Sequence, residues 1–140
     1  FNKNIRVATH LSEVPPAWAC EDDLKQILSN LILNAVQAMD EGGVLTIMTN
    51  PIEGGFQVRV SDTGHGIKAE DLDHIFDPFF TTKEPGQGTG LGLSMCRKIL
   101  DRMNRTIDVQ TEVGKGTTFT VIFPVEGSLQ SQAPGASTNP

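Results

Sequence analysis

Two glycine-dense segments hold the residue types that most directly suggest chemistry. They are residues 62–66, with the sequence DTGHG, and residues 86–93, with the sequence GQGTGLGL. Because glycine has no Cβ, it lets the backbone approach a large flat or polyanionic ligand without a clash. The second segment leads into a helical pattern over residues 91–103, so its N–H groups would lie at a helix N-terminus, where phosphate oxygens are stabilised. A nucleotide is therefore the first candidate ligand.

A second polar feature lies on the first long helical pattern. Four polar residues share one flank of its apolar face at helical spacing: Asp23, Asn30, Asn34 and Gln37. Asparagine is a poor choice for a helix interior, so Asn30 and Asn34 need a reason. Two interpretations stay open from the spacing: side chains that cap a loop or face solvent, or an amide oxygen that coordinates Mg²⁺, which prefers oxygen ligands.

These residues must be positioned by regular elements, which the hydrophobic pattern predicts. The prediction is a strand at 5–11, a helix from 21 that stops at Gly42-Gly43, a hairpin with strands 44–50 and 56–61, a helix at 91–103 and a hairpin with strands 106–111 and 117–123. Residues 68–87, with a helical turn around 70–75, are a candidate active-site loop. This order predicts an α+β two-layer sandwich with a mixed, mostly antiparallel sheet and helices on one face.

Length and composition limit the class of protein. The 140 residues predict one domain over 1–125 and a disordered tail over 126–140, where Ser, Gln and Pro show no apolar period. A net charge of −6 with 11 Lys and Arg argues against nucleic acid as a partner. The longest apolar stretch, 27–39, is interrupted by polar residues, so no membrane span is predicted. Cys20 and Cys96 lack neighbours at metal spacing and predict buried free thiols in a reducing compartment.

Five segments in order resemble a known set of motifs. They are NLILNA at 30–35, DTGHG at 62–66, FDPFFTTK at 76–83, GTGLGL at 88–93 and GKGTTF at 114–119. The set is similar to the N, G1, F, G2 and G3 boxes of sensor histidine kinase catalytic domains, the ATP-binding half of two-component kinases, within the wider family of gyrase, Hsp90 and MutL. The resemblance covers residues 5–124 and implies a Bergerat-type ATP-binding fold. The boxes together are far more specific than any one of them.

The resemblance implies roles at the base end of a nucleotide. Asp62 would accept the adenine amino group and exclude guanine, which offers a carbonyl at that edge. Gly64 and Gly66 would let the chain turn against the purine ring, and Ile67 is assigned to nucleotide binding. Thr117 lies where the family supplies a hydroxyl near adenine, and it could equally be a packing threonine of a strand.

At the phosphate end, the resemblance implies Asn34 as the Mg²⁺ ligand and a glycine-rich lid over the phosphates. Lys83 is the nearest cation on the lid side and a candidate catalytic residue that reaches the γ-phosphate; a solvated loop lysine is the equal alternative. Phe76, Phe79 and Phe80 are interpreted as packing anchors of the closed lid or as contacts to a partner domain. The other residues assigned to nucleotide binding are Thr82, Gly88, Thr89, Gly90, Leu91, Gly92 and Leu93.

The residue type at position 30 bears on whether phosphoryl transfer or hydrolysis is expected. In the ATPases of the wider family the residue one turn before the metal asparagine is typically a Glu that acts as general base, whereas an amide cannot take a proton at neutral pH. We therefore expect slow hydrolysis, with Asn30 as a catalytic residue that positions water, metal or an incoming imidazole. An ATPase or conformational module of the gyrase, Hsp90 or MutL kind is the alternative, and a binding-only pseudokinase is the third hypothesis.

The phosphoacceptor is expected outside this chain. Histidine kinases transfer the γ-phosphoryl group to a His in a His-Glu or His-Asp context on a helical dimerisation domain, and none of His10, His65 and His74 has that setting. The resemblance implies a fragment that binds ATP and Mg²⁺ and does not autophosphorylate alone. Its implied partners are the dimerisation domain of the same kinase and then a response regulator. Its implied location is the cytoplasm, without membrane contact of its own, which is compatible with a membrane anchor elsewhere in the parent protein.

Overall fold

The computed structural model describes residues 4–12, 21–80 and 92–124. Within these ranges the strands are β1 (Ile5–Leu11), β2 (Gly43–Ile52), β3 (Gly55–Asp62), β4 (Ile107–Glu112) and β5 (Gly116–Pro124). The helices there are α1 (Glu21–Ala38), α2 (Ala69–Leu72) and α3 (Gly92–Arg102). The predicted order of elements is confirmed.

The strands form one sheet in the order β1-β2-β3-β5-β4. β1 pairs parallel with β2, and the other neighbouring strands pair antiparallel. A parallel pair needs a crossover connection, and α1 lies between β1 and β2 along the chain. The predicted mixed, mostly antiparallel sheet is confirmed.

The bounds of several elements differ from the sequence prediction. α1 ends at Ala38, and the turn after it closes with a 3.1 Å hydrogen bond from the Gly42 N–H to the Met39 carbonyl. β2 runs on to Ile52, which pairs with Gly55, so the turn of this hairpin is tighter than predicted. α2 is a single turn of four residues and is shorter than the turn predicted around 70–75.

One face of the sheet carries the helices and the core. Alternate residues of β3 and β5 point to this face and are at most 6% exposed, the pattern of strands with one buried side. Ile27, Leu31 and Ala35 of α1 cover them at helical spacing. The buried apolar strand residues are Phe56, Val58, Val60, Phe119, Val121 and Phe123. The predicted two-layer sandwich is confirmed.

α3 packs against α1 within the same core. Cys96 is fully buried, and its thiol donates to the Ile27 carbonyl at 3.6 Å. At the other end of the pair, the Arg102 guanidinium lies 3.0 Å from the Asp23 carboxylate. The predicted buried free thiol is confirmed for Cys96, whereas Cys20 lies outside the described residues.

β1 forms one edge of the sheet and adds little to the core. Val7 and Leu11 are 59% and 66% exposed, so the apolar alternation that predicted this strand does not mark buried positions. In the described ranges no helix combines the length and the apolar character needed to cross a membrane. Residues 126–140 lie outside those ranges, and their predicted disorder stays a prediction.

Candidate functional site

Asp62 is the last residue of β3, and only 5% of its surface is exposed. Its Oδ1 accepts a hydrogen bond from the Gly64 N–H at 2.8 Å, which fixes the carboxylate at the start of the glycine loop. Burial raises the pKa of the Asp62 carboxyl, and the N–H groups of Gly64 and Thr117 together with His65 oppose this rise. The strand end therefore presents a buried carboxylate as a hydrogen-bond acceptor.

The glycine loop, residues 63–67, is held from both sides by backbone hydrogen bonds. The His65 N–H donates to the Ala38 carbonyl at 3.1 Å, and the His65 carbonyl accepts from the Gly114 N–H at 2.8 Å. Gly66 has a φ of +77°, and a Cβ there would collide with the Glu112 carbonyl. This glycine is required for packing on the β4–β5 turn, and its predicted contact with a purine ring stays a prediction.

Thr117 lies opposite Asp62 in the β3–β5 pair. Register partners on neighbouring strands share a face, and Thr117 is only 4% exposed. Gly116 has a φ of +140°, and a Cβ there would collide with the Asp62 carbonyl. The structure therefore brings Asp62 and Thr117 together, and the predicted place of Thr117 near adenine stays a prediction.

Thr111 of β4 is a site residue that the sequence reasoning missed. Its Oγ1 accepts the Ile67 N–H at 2.9 Å and lies 3.1 Å from the Gly116 carbonyl oxygen and 2.9 Å from the Thr117 Oγ1. It thus joins the glycine loop to the β4–β5 hairpin. The available signal was the short turn of that hairpin, which sets Thr111 opposite Thr117.

Asn34 and Asn30 are both half-buried on α1 but have different surroundings. The Asn34 side chain makes no hydrogen bond to another residue in the described part of the chain. The Asn30 Oδ1 accepts the Gln26 amide at 3.1 Å, and its Nδ2 is buried without an acceptor among the described residues. Burial raises the pKa of the Cys96 thiol to about 11, and the neighbouring Asn30 amide opposes that shift. Asn30 thus faces the α1–α3 interface, and its catalytic role stays a prediction.

The three phenylalanines at 76–80 have unlike environments. Phe76 and Phe80 pack against the core, and the Arg97 guanidinium lies 5.3 Å from the Phe76 ring centroid. Phe79 is 73% exposed and has a φ of +68°. Phe76 and Phe80 therefore pack against the core and Phe79 does not, while the predicted roles of all three in a closed lid or at a partner domain stay predictions.

The phosphate end of the predicted site is described only at the start of α3. Leu93 packs partly buried against the core, and a Cβ on Gly92 would lie 4.0 Å from the Asn30 Cβ. The residues predicted to bind nucleotide that lie outside the described ranges are Thr82, Lys83, Gly88, Thr89, Gly90 and Leu91. Their roles stay predictions.

The fold and the site together define a class of protein. A mixed sheet with helices on one face carries a buried carboxylate at the end of its central strand, a clamped glycine loop beside it and two asparagines on the first long helix. These are the features of an ATP-binding domain with the Bergerat-type fold.

Comparison with known proteins agrees with this class. Residues 19–127 match the family described as histidine kinase-, DNA gyrase B- and HSP90-like ATPase. The chain belongs to this family, which binds ATP.

The curated relatives include sensor kinases. The chain is 44% identical over 112 residues to the sensor histidine kinase ZraS of Escherichia coli K12, covering 80% of this chain and 24% of the relative. It is 41% identical over 120 residues to sporulation kinase D of Bacillus subtilis strain 168, covering 85% of this chain and 23% of the relative. The chain thus spans about a quarter of the length of these relatives.

Solved structures match over most of this chain. The catalytic domain of histidine kinase ThkA has a TM-score of 0.72 and 34% identity, covering 86% of this chain and 79% of that one. Full-length ShkA in complex with AMPPNP has a TM-score of 0.74 and 30% identity, covering 91% of this chain and 27% of that one. The chain corresponds to the catalytic, ATP-binding part of sensor histidine kinases, as predicted, and gyrase and Hsp90 are related to it only through the wider family.

Proposed function

We propose that this domain binds Mg-ATP and transfers the γ-phosphoryl group to a histidine on a separate dimerisation domain of the same kinase, from which a response regulator receives it. The observation that carries the proposal is the buried pair of Asp62 and Thr117 beside the clamped glycine loop. It occurs in a chain whose curated relatives are sensor kinases.

Asp62 is proposed to recognise the adenine amino group. Its carboxylate is buried and accepts the backbone N–H groups of Gly64 and Thr117, which leaves further lone pairs for a ligand. A buried acceptor left unpaired is costly, so a base that brings a carbonyl to this edge is rejected. The family resemblance and the burial of the carboxylate support this proposed role.

Asn34 is proposed to ligate Mg²⁺. Its amide oxygen is a hard ligand on the helix face and is not occupied by a hydrogen bond to any described residue. Within the described ranges no cluster of three or more His, Cys, Asp or Glu side chains could hold an ion by itself. The residues present therefore fit an ion that arrives with the phosphates and keeps much of its water. When bound, such an ion neutralises charge that develops in phosphoryl transfer.

The amide at position 30 favours transfer of the γ-phosphoryl group to a protein side chain rather than to water. Asn30 cannot act as a general base at neutral pH, so the proposed domain does not activate water. Lys83 is proposed to reach the γ-phosphate, and the glycine-rich segment before α3 to donate backbone N–H groups to the phosphates.

The acceptor histidine is proposed to lie on the dimerisation domain. His10 is in β1, the His74 Nδ1 lies 3.1 Å from the Asp77 carboxylate outside any helix, and the His65 Nδ1 lies 2.7 Å from the Gly66 carbonyl oxygen. None is on a long helix. The domain is proposed to act in the cytoplasm and, with a net charge of −6, without nucleic acid.

A nucleotide titration tests the site. We expect Asp62→Ala to lower ATP affinity at least about tenfold with or without Mg²⁺ and Asn34→Ala to remove mainly the Mg²⁺-dependent part. Asp108→Ala, an exposed β4 carboxylate, and Asn50→Ala, an amide on β2, are the matched controls. Equal binding by the parent chain and both site variants would contradict the assignment.

A transfer assay tests the reaction. With γ-radiolabelled ATP, the chain alone should stay unlabelled, and addition of the parent kinase's dimerisation domain should give an acid-labile, base-stable phosphoprotein. Such a label on the chain alone would contradict the missing acceptor. Rapid steady release of phosphate would favour the ATPase alternative.

A further inference from the structure

Among the residues that the structure describes, the Thr111 hydroxyl contacts three polar atoms and has one proton to donate. Its Oγ1 lies 2.9 Å from the Ile67 nitrogen, 3.1 Å from the Gly116 carbonyl oxygen and 2.9 Å from the Thr117 Oγ1. The Ile67 N–H can only donate, and the Gly116 carbonyl can only accept. The direction of the contact between the two hydroxyls follows from these fixed partners.

Only one arrangement of protons gives each of the three contacts a hydrogen bond. The Thr111 proton must point to the Gly116 carbonyl, because otherwise two oxygens at 3.1 Å would face each other without a proton between them. The contact between the hydroxyls must then be made by the Thr117 proton, which points to the Thr111 Oγ1. Thr117 has no second proton for a ligand, so toward its other neighbours it offers lone pairs alone.

With this arrangement of protons, both side chains at the base end of the site act only as hydrogen-bond acceptors. Asp62 and Thr117 are register partners on the same face of the sheet, and both are at most 5% exposed. An ionised carboxylate and a hydroxyl whose proton is committed are both pure acceptors. The ligand edge that meets them must bring donors: an exocyclic amino group, alone or with a water.

We propose that Thr111 is a positioning residue that fixes the direction of the Thr117 hydroxyl and so sets the preference of the site for a 6-amino over a 6-oxo purine. This proposal rests on the proposed function, because it assumes a purine nucleotide at Asp62. Thr111 touches no ligand itself. Without it, the Thr117 hydroxyl rotates and donates to a carbonyl.

The test compares ATP with ITP and with the triphosphate of 6-methoxypurine riboside. Both analogues replace the 6-amino donor by an oxygen acceptor, but only ITP also carries a proton on N1, so the methoxy analogue isolates the change at position 6. Dissociation constants are measured for the parent chain, Thr111→Val, which keeps the shape and removes the hydroxyl, and Thr111→Ser, which keeps the hydroxyl. We expect the ATP preference over each analogue to fall about fivefold in Thr111→Val and to stay at the parental value in Thr111→Ser. An equal loss of affinity for all three nucleotides in Thr111→Val, with the ratios unchanged, would overturn the proposal.

Thr117→Val keeps the proposal testable if Thr111→Val does not fold. Removal of the Thr117 hydroxyl should lower the ATP preference by a similar factor, and adding Thr111→Val to that variant should not lower it further. A parental ratio in Thr117→Val would overturn the role of Thr111. Failure of the parent chain to bind ATP would instead contradict the proposed function.

Discussion

The Asp62 carboxylate is held in surroundings that oppose its charge. It is 5% exposed, and burial raises its pKa against the opposing effect of its backbone hydrogen bonds. A folded-state pKa above the unfolded value of about 3.9 means that the folded protein binds the proton more tightly. The charge of Asp62 therefore lowers the free energy of unfolding at neutral pH, a cost that its proposed role as acceptor of a ligand amino group explains.

Asp62→Asn should raise the free energy of unfolding at neutral pH and abolish high-affinity ATP binding. The amide oxygen can still accept the Gly64 N–H, so the turn is kept while the buried charge is removed. The stability gain over the parent chain should appear above about pH 4, grow as the pH rises through the raised pKa and then stay constant. Urea unfolding of both proteins across this pH range measures the difference.

The control for Asp62→Asn is the same change at an exposed position. Asp108→Asn, on the exposed side of β4, should alter the free energy of unfolding by less than about 0.5 kcal/mol at every pH. A parent chain more stable than Asp62→Asn at pH 7 would mean that the carboxylate is net stabilising.

At the scale of an element, α3 ends in a Schellman motif. The Arg105 N–H donates to the Leu100 carbonyl at 2.8 Å, the Asn104 N–H donates to the Asp101 carbonyl at 3.1 Å, and Asn104 has a φ of +61°. Asparagine tolerates this left-handed backbone better than other residues with a Cβ. The motif fixes where α3 stops and β4 begins, and β4 carries Thr111.

The effect of replacing Asn104 on the free energy of unfolding should therefore depend on how easily the new residue adopts a left-handed backbone. Asn104→Ala should lower the free energy of unfolding by about 1 kcal/mol, whereas Asn104→Gly should leave it unchanged or raise it slightly. Chemical denaturation of the two variants measures the difference, with the exposed Thr106→Ala as control. An Asn104→Gly variant less stable than Asn104→Ala would contradict this account.

Of the three phenylalanines in the segment after α2, Phe76 and Phe80 pack against the core and Phe79 lies on the surface. Phe76→Ala should cost about 2 kcal/mol of stability because the ring packs against the core and under Arg97. Phe79→Ala should cost little, and Phe79→Gly should add about 1 kcal/mol because its φ of +68° strains a side chain that is 73% exposed. Thermal unfolding ranks the variants. Equal destabilisation by Phe76→Ala and Phe79→Ala would show that Phe79 also anchors the segment.

At the scale of the whole molecule, the last described element, β5, ends at Pro124. The family match ends at residue 127. We expect a chain stopped after residue 125 to keep its melting temperature within about 2 °C and its ATP affinity, because the tail sequence has no apolar period to pack. Side-by-side thermal unfolding and nucleotide titration measure this. A clear fall in either quantity would place the domain boundary further along the chain.

The sequence predicted most of the fold because periodicity is a local property. Alternation identified β3 and β5, and helical spacing identified α1. The order of the motifs identified Asp62 and Thr117 as candidate site residues, and these two are register partners in the structure. Contacts between elements that are distant in the sequence could not be predicted from such local patterns.

The surroundings that the sequence did not reveal all depend on those distant contacts. Thr111 matters because the hairpin register sets it opposite Thr117 and beside the Ile67 N–H. Asn30 faces the Cys96 thiol because α3 packs on α1. The three phenylalanines look equivalent in the sequence, and only the packing of the segment separates Phe79 from the other two.

The pairing of β3 with β5 also bears on how this domain can diversify. Asp62 and Thr117 lie side by side, so the chain between them leaves and returns to one fixed point of the sheet. The entropy of closing such an excursion grows only logarithmically, by about 0.6 kcal/mol per doubling of length. Evolution can lengthen the loops that connect α2, α3 and β4 within this segment at small thermodynamic cost, provided that α3 still packs on α1 and β4 still pairs with β5. Related domains can thus gain new surface in these loops while the pairing of Asp62 with Thr117 is kept.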